Sequence, residues 1–342
     1  MKQTVLNLMN HAGVFAPFRM ANSGKALIVT YHRFSEDGVA CTVSAKALAQ
    51  QLDYLTTHYR IVPLSEIAGH LASGKRLPRR LVSVTVDDGY RDFYESAFPV
   101  FRRYKVPAAL FVVTGFVDRQ AWMWTDKLRY LLPRARTSIL DFTAGGRAVR
   151  VNLDGLQSRL EIAGCINAVL KSLPDDAKDE TIAHIATALG LELPPAPPRE
   201  FSSVTWDHVR EMDTAGIEIG SHTVTHPILT NVAIDRVRDE LSESRERIES
   251  VVGHAARLFC YPNGGYNAAV KREAAQAGYI CAVVSEPGFN DSGCDPMALR
   301  RIHGERDLAH FAQSTSGFEQ AKNRWRRGRG PAAVPAYEHL SI

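Results

Sequence analysis

"SVTVDDGYRD", residues 83–92, begins as an apolar strand and runs directly into two adjacent carboxylates, Asp87 and Asp88, just ahead of a glycine. The preceding "LVSVTV" (81–86) is rich in β-branched residues and reads as a buried strand. Two like charges at the end of such a strand repel, and in a low-dielectric site at least one must be offset by a cation or hold a proton. The reason for the pair must lie elsewhere in the chain.

Outward from this stretch, apolar strand-like runs alternate with segments of helical period. "ALIVTYH" (26–32) and "AALFVVTG" (108–115) read as strands, "SAKALAQQLDYLTTH" (44–58) and "SEIAGHLASG" (65–74) as serine-capped helices, and "YESAFPVFRRY" (94–104) as a helix in spite of its proline. The alternation resumes with "WDHVREMDTAG" (206–216), "IEIGSH" (217–222), "AIDRVRDELSESRERIESVVG" (233–253), "RLFCYP" (257–262), "NAAVKREAAQAG" (267–278) and "YICAVVS" (279–285). This is the pattern of parallel α/β architecture, and six or more βα units suit a barrel better than a small open sheet.

Residues 119–200 differ in character. They hold "WMWTDKLRYLL", a hairpin signal in "SILDFTAGGRAVRVNL", and a proline-rich close, "LELPPAPPRE". The expected organisation is an N-terminal leader segment (1–25), a barrel (26–118 and 201–318), an insertion or lid (119–200) and a basic flexible tail (319–342). Trp122 and Trp124 read as core packing ahead of sugar stacking.

Composition bounds the function classes. The 342 residues are 45% hydrophobic and 23% charged, ordinary for a folded soluble protein. Net charge is only +4, and much of the excess lies in "NRWRRGRG" (323–330), so nucleic-acid binding is not expected. That tail reads first as a solvated segment; contact with a membrane surface is its alternative. The five cysteines are dispersed without a CxxC pair, as expected of reduced thiols in the cytoplasm. Asn7, Asn10 and His11 interrupt the leader, which reads as a short helix packing on the body, and no run approaches the roughly 20 apolar residues of a membrane span.

Barrel chemistry gathers at the C-terminal ends of the strands. Asp87 and Asp88 stand at one such end, and His222 and His226, in "EIGSHTVTHP" (218–227), follow another, where Gly220 is expected to break the strand. Two histidines and one carboxylate form a facial triad suited to zinc, cobalt or iron(II) with positions open for water and substrate. The doubled aspartate then has a reason: one ligates the metal and its neighbour remains free as a base. His32 ends the first strand and reads equally as a core histidine or a site-facing one.

"TVDDGYRD", "SHTVTHP" and "RLFCYPNG" resemble the first three motifs of the NodB-homology polysaccharide deacetylases, carbohydrate esterase family 4, and the flanking segments extend the likeness over roughly residues 26–310 apart from the insertion. The resemblance implies a deformed (β/α) barrel of about seven strands and metal-dependent removal of an N-acetyl group from an amino sugar in a polysaccharide or its precursor. It implies Asp87 as catalytic base, Asp88, His222 and His226 as ligands of a divalent metal, zinc before cobalt, and Tyr261, Pro262 and Asn263 as the oxyanion and substrate loop, with the Asn263 N–H as oxyanion donor. His303, in "LRRIHGERD" (299–307), would be the general acid, although Arg301 stands where the family motif has a leucine. Cys260 occupies the place of the arginine that tunes the base, and the family's fourth motif has no match. A deacylase of a lipid-linked or small-molecule amide and a silent carbohydrate-binding homologue are the alternatives.

Overall fold

The computed structural model describes residues 3–36, 42–118, 122–154 and 158–327. Seven parallel strands close into a ring in chain order: β1 (Leu27–Tyr31), β2 (Leu81–Val86), β3 (Ala108–Val112), β4 (Ile217–Ser221), β5 (Leu258–Cys260), β6 (Cys281–Pro287) and β7 (Leu299–His303). The ring closes because β1 pairs with β7 on one side and with β2 on the other, placing Thr30 opposite both His303 and Thr85. Every residue of β1, β2 and β3 is buried, as expected of strands covered on both faces. Ile28, Phe111, Cys260, Cys281, Val283 and Leu299 form one apolar cluster across the strands, while Val29, Val82, Val84 and Leu110 belong to the cluster shared with the surrounding helices.

Two sequence expectations change at the local level. Gly220 lies inside β4 and does not break it; a Cβ there would come within 2.7 Å of the Phe111 ring and 2.9 Å of the Leu258 carbonyl oxygen, so the residue permits close packing. The 94–104 segment is a π-helical turn, Phe93–Ala97, followed by an α-helix, Phe98–Tyr104, whose proline occupies the first turn, where its missing N–H costs nothing.

The leader forms two short helices, α1 (Gln3–His11) and α2 (Ala16–Ala21), held to the body by Leu6 and Phe15. The inserted region contains α3 (Trp124–Arg134), an antiparallel hairpin of Ile139–Ala144 with Arg147–Asn152, α4 (Arg159–Leu170) and α5 (Asp175–Ala188). Gly145 and Gly146, both at positive φ, make the tight turn of that hairpin. Leu128, Leu140, Val149, Ile166 and Ile185 give the insertion a core of its own, and Trp124 is part of it. The long helix α6 (Ile234–Val252) follows β4; α7 (Leu308–Ser316) and α8 (Phe318–Arg327) close the described chain. The expected flexible tail therefore starts as a helix, and its remainder, 328–342, lies outside the described residues.

Cys165, Cys260, Cys281 and Cys294 are free thiols, and Cys41 lies outside the described residues. Among the described residues, no helix is long and apolar enough to cross a membrane.

Candidate metal and catalytic site

Strand β2 delivers Asp87 and Asp88 to the C-terminal end of the barrel, where the chain reverses: Asp88 and Gly89 both take positive φ, +74° and +79°. This turn sends the two neighbouring carboxylates to different partners.

Asp87 is 1% exposed and meets Arg301 of β7 in a two-pronged contact, Nη1 to Oδ1 and Nη2 to Oδ2, each 2.7 Å. All three guanidinium nitrogens donate: Nε to the Val284 carbonyl, Nη1 also to the hydroxyls of Thr30 and Thr85, and Nη2 also to Cys260 Sγ. The Cys260 thiol lies 3.5 Å from Asp87 Oδ2, and His32 Nε2 lies 3.5 Å from the same oxygen. Burial alone would push the carboxyl upward, but Arg301 and then His32 outweigh it and hold Asp87 well below the usual carboxylate range.

Asp88 turns instead to the histidines. Its Oδ1 lies 3.4 Å from His222 Nε2 and 3.7 Å from His226 Nε2, and the three residues are buried with donor atoms within 4.8 Å of one another. Bonds of about 2.0–2.1 Å in a tetrahedral site separate neighbouring donors by roughly 3.3 Å, close to these spacings. His222 Nδ1 lies 2.7 Å from the Cys260 carbonyl oxygen; donating there leaves Nε2 bare toward Asp88. Burial, the largest cause, pushes His226 down to about 3, so its imidazole is neutral, as a ligand requires. The donor set fits a divalent cation. Asp87, His222 and Cys260 also cluster, but Arg301 occupies both oxygens of Asp87, and that group fits less well.

The turn carrying the histidines has a clamp of its own. Thr223 and His226 take positive φ, and buried Glu240 of α6 accepts the N–H groups of Val224 and Thr225 at 2.8 and 2.9 Å, together with the Thr225 hydroxyl. Thr223 Oγ1 accepts the His226 N–H at 3.0 Å. Glu240 neighbours Arg236, whose Nη2 reaches Asp175 at the start of α5 at 2.7 Å, so the insertion is tied to the turn between His222 and His226. A second tie is the Tyr90 hydroxyl, which donates to the fully buried Asp126 of α3 at 2.5 Å.

The structure brings Asp87, Asp88, His222 and His226 together, as their positions in the sequence led one to expect. It removes Tyr261 from the site: the ring packs on Phe259 and Tyr266, its hydroxyl donates to the Met297 carbonyl, and its N–H is spent on Val283. Pro262 is buried, and Asn263 takes φ +54° with its side-chain Nδ2 buried and without a partner among the described residues. His303 stacks against His32 with ring centroids 5.7 Å apart. Desolvation, followed by the charges of His32 and Arg301, lowers His303 to about 4. Arg301, which registers in the sequence only as a departure from a leucine, fills the place of the base-tuning arginine that Cys260 leaves open. Glu240 and Asp126 carry no motif signal, since each acts through a partner distant in the chain.

A family model described as polysaccharide deacetylase matches residues 74–282. The chain is 20% identical over 279 residues to YxkH of Bacillus subtilis, named for the same family, covering 81% of this chain and 71% of that protein. It is 32% identical over 80 residues to a poly-β-1,6-N-acetyl-D-glucosamine N-deacetylase of Staphylococcus aureus, 23% of this chain and 27% of that one. The solved structure of the Streptococcus pyogenes deacetylase PplD in complex with acetate shares the fold, with a TM-score of 0.57 at 18% identity over 86% of this chain and 99% of that chain.

Proposed function

Because the chain belongs to the polysaccharide deacetylase family, we propose that it hydrolyses the N-acetyl group of an amino sugar in a polysaccharide or its precursor, with Asp88, His222 and His226 holding a divalent metal. The observation that carries this reading is the division of labour between adjacent carboxylates, Asp87 against Arg301 and Asp88 against two imidazoles. Zinc and cobalt both suit one carboxylate and two imidazoles. Bound there, the ion would supply Lewis acidity toward the acetyl carbonyl and toward a water.

The chain's own groups do the rest. Asp87, kept ionised by Arg301, takes the proton of the attacking water. The Asn263 N–H, on a loop shaped by Pro262, faces the developing oxyanion. For the proton that the leaving amine needs, His303 is the donor, with the His32 ring stacked on it at 5.7 Å and His32 Nε2 3.5 Å from Asp87 Oδ2. The products are acetate and the free amine. The likeness of a short segment to a poly-N-acetylglucosamine deacetylase supports N-acetylglucosamine polymers as the first substrates to try.

The deciding experiment measures metal content and acetate release from N-acetylglucosamine oligomers for wild type, Asp88→Ala and Asp87→Asn. The reading expects about one ion per chain in wild type and in Asp87→Asn, loss of the ion in Asp88→Ala, and acetate from wild type alone. A wild type that takes up neither zinc nor cobalt would sink it.

A further inference from the structure

The two halves of the metal-fitting cluster come from strands distant in the chain, Asp88 from the end of β2 and His222 and His226 from the end of β4. Both halves are tied to the first turn of one insertion helix, α3, where Trp124 and Asp126 are 6% and 0% exposed.

Asp126 reaches the Asp88 side. Its Oδ2 accepts the hydroxyl of Tyr90, two residues past Asp88, and the buried Tyr90 ring is held between the Arg33 guanidinium, 4.0 Å from its centroid, and Phe116, edge-on at 5.4 Å. Trp124 reaches the histidine side. Its ring carries the Lys178 ammonium at 4.6 Å, and Lys178, 2% exposed, pairs with Asp175 at 2.5 Å. Asp175 pairs in turn with Arg236, whose Nη2 lies 3.4 Å from the Thr225 hydroxyl in the turn between His222 and His226. Asn231, five residues past His226, donates to the Lys171 and Leu173 carbonyls of the insertion at 3.0 and 3.3 Å.

The fold of the insertion does not call for these charges, since its core is apolar. A wholly buried carboxylate costs stability unless a good ion pair offsets it, and the cation that meets Asp126 is Arg129, 37% exposed and 3.4 Å away, a contact that solvent screens. Apolar residues of similar volume would serve the insertion alone as well or better.

We propose that the insertion completes the metal site. Asp126, acting through Tyr90, and Lys178, acting through Asp175 and Arg236, are positioning residues that hold the Asp88 segment and the His222–His226 turn at the separation a divalent cation requires. The inference rests on the reading of Asp88, His222 and His226 as ligands.

The test is cobalt affinity of the full chain, by competition with a chelator, in wild type, Tyr90→Phe, Asp126→Asn, Asp126→Ala and Lys178→Met. Denaturant unfolding of each metal-free protein and the visible absorption of the bound cobalt are measured beside it. Tyr90→Phe keeps the ring and loses only the hydroxyl. It and Asp126→Ala should each weaken cobalt binding roughly tenfold and change the absorption bands. Combined, they should cost no more than either alone, because one hydrogen bond joins the two residues. Asp126→Asn, whose amide oxygen still accepts the Tyr90 hydroxyl, should recover most of the affinity, and it decides the matter with Tyr90→Phe if Asp126→Ala fails to fold. Lys178→Met, which leaves Asp175 with Arg236, should weaken binding by a smaller factor. Variants that unfold earlier yet bind cobalt as wild type does would overturn the proposal, since the residues would then serve the fold of the insertion alone; so would additive losses in the double variant. A wild type that binds no cobalt would overturn the ligand reading and this inference together, whereas wild-type binding with unchanged variants would strike this inference alone.

Discussion

Two arginine–aspartate pairs in this chain have nearly the same contact geometry and opposite surroundings. In the barrel, Arg301 grips Asp87 through two contacts of 2.7 Å with both side chains almost wholly buried; on the insertion hairpin, Arg150 grips Asp141 through contacts of 2.8 and 2.9 Å with the two side chains 72% and 58% exposed. Solvent screens the hairpin pair and can replace either partner, so the contact adds little. In the barrel neither charge has water to fall back on, and each depends on the other. Distance alone says nothing of what such a pair does; burial decides it.

The comparison is broken most forcefully at Asp87 itself. Asp87→Asn keeps the shape and removes the base, so acetate release should fall by about 10²–10⁴-fold while metal content is unchanged. If activity survives at the wild-type level, Asp87 is structural and the two pairs are more alike than their burial suggests.

Arg301→Met leaves a buried carboxylate without its cation and should cost about 3–5 kcal/mol, read by denaturant unfolding at neutral pH. The sign of the pH dependence follows from the depressed pKa of Asp87. The stabilisation in wild type is present above the unfolded carboxyl pKa of about 3.9 and is lost as pH falls through the lower folded value. In the variant Asp87 titrates upward, so the stability gap to wild type should narrow as pH falls, and the acid limb of the rate profile should move to higher pH. A profile unmoved by the substitution would separate Arg301 from the base.

A smaller effect is expected one layer out. Glu240→Ala frees the N–H groups of Val224 and Thr225 between His222 and His226, the proposed ligands, and metal affinity, measured by competition with a chelator, should drop by roughly 10–100-fold. Glu240→Gln, which keeps an acceptor, should recover part of it; equal affinity in both variants and wild type would show that the turn holds without the clamp.

Arg150→Ala should leave unfolding, metal content and activity unchanged, because its partner is fully solvated without it. A measurable loss there would mean that the hairpin pair takes part in something beyond the fold of the insertion.

Much of this was legible in the sequence because it is written in local pattern. Strand runs such as 81–86 and 108–115, the Gly-Gly turn of the hairpin and the change of character at 119–200 each depend on neighbours in the chain, as do the Asp-Asp step and the two histidines four apart. Each strand brings its own end residues to the same rim once a parallel barrel forms, so Asp87, Asp88, His222 and His226 could be grouped from strand ends alone.

The closure of the ring decided the rest. Arg301 and Asp87 are 214 residues apart, and they meet because β7 and β2 flank β1 and both turn these residues inward. The same closure puts His32 beside Asp87, stacks His303 behind it, and turns the Tyr261 ring outward, alternatives that spacing left open because a side chain's direction on a strand depends on register. Sequence fixes which groups a strand end can offer, while tertiary packing determines which of them lose water together, and the loss of water makes a charge pair, a neutral histidine and a metal-fitting cluster out of ordinary side chains.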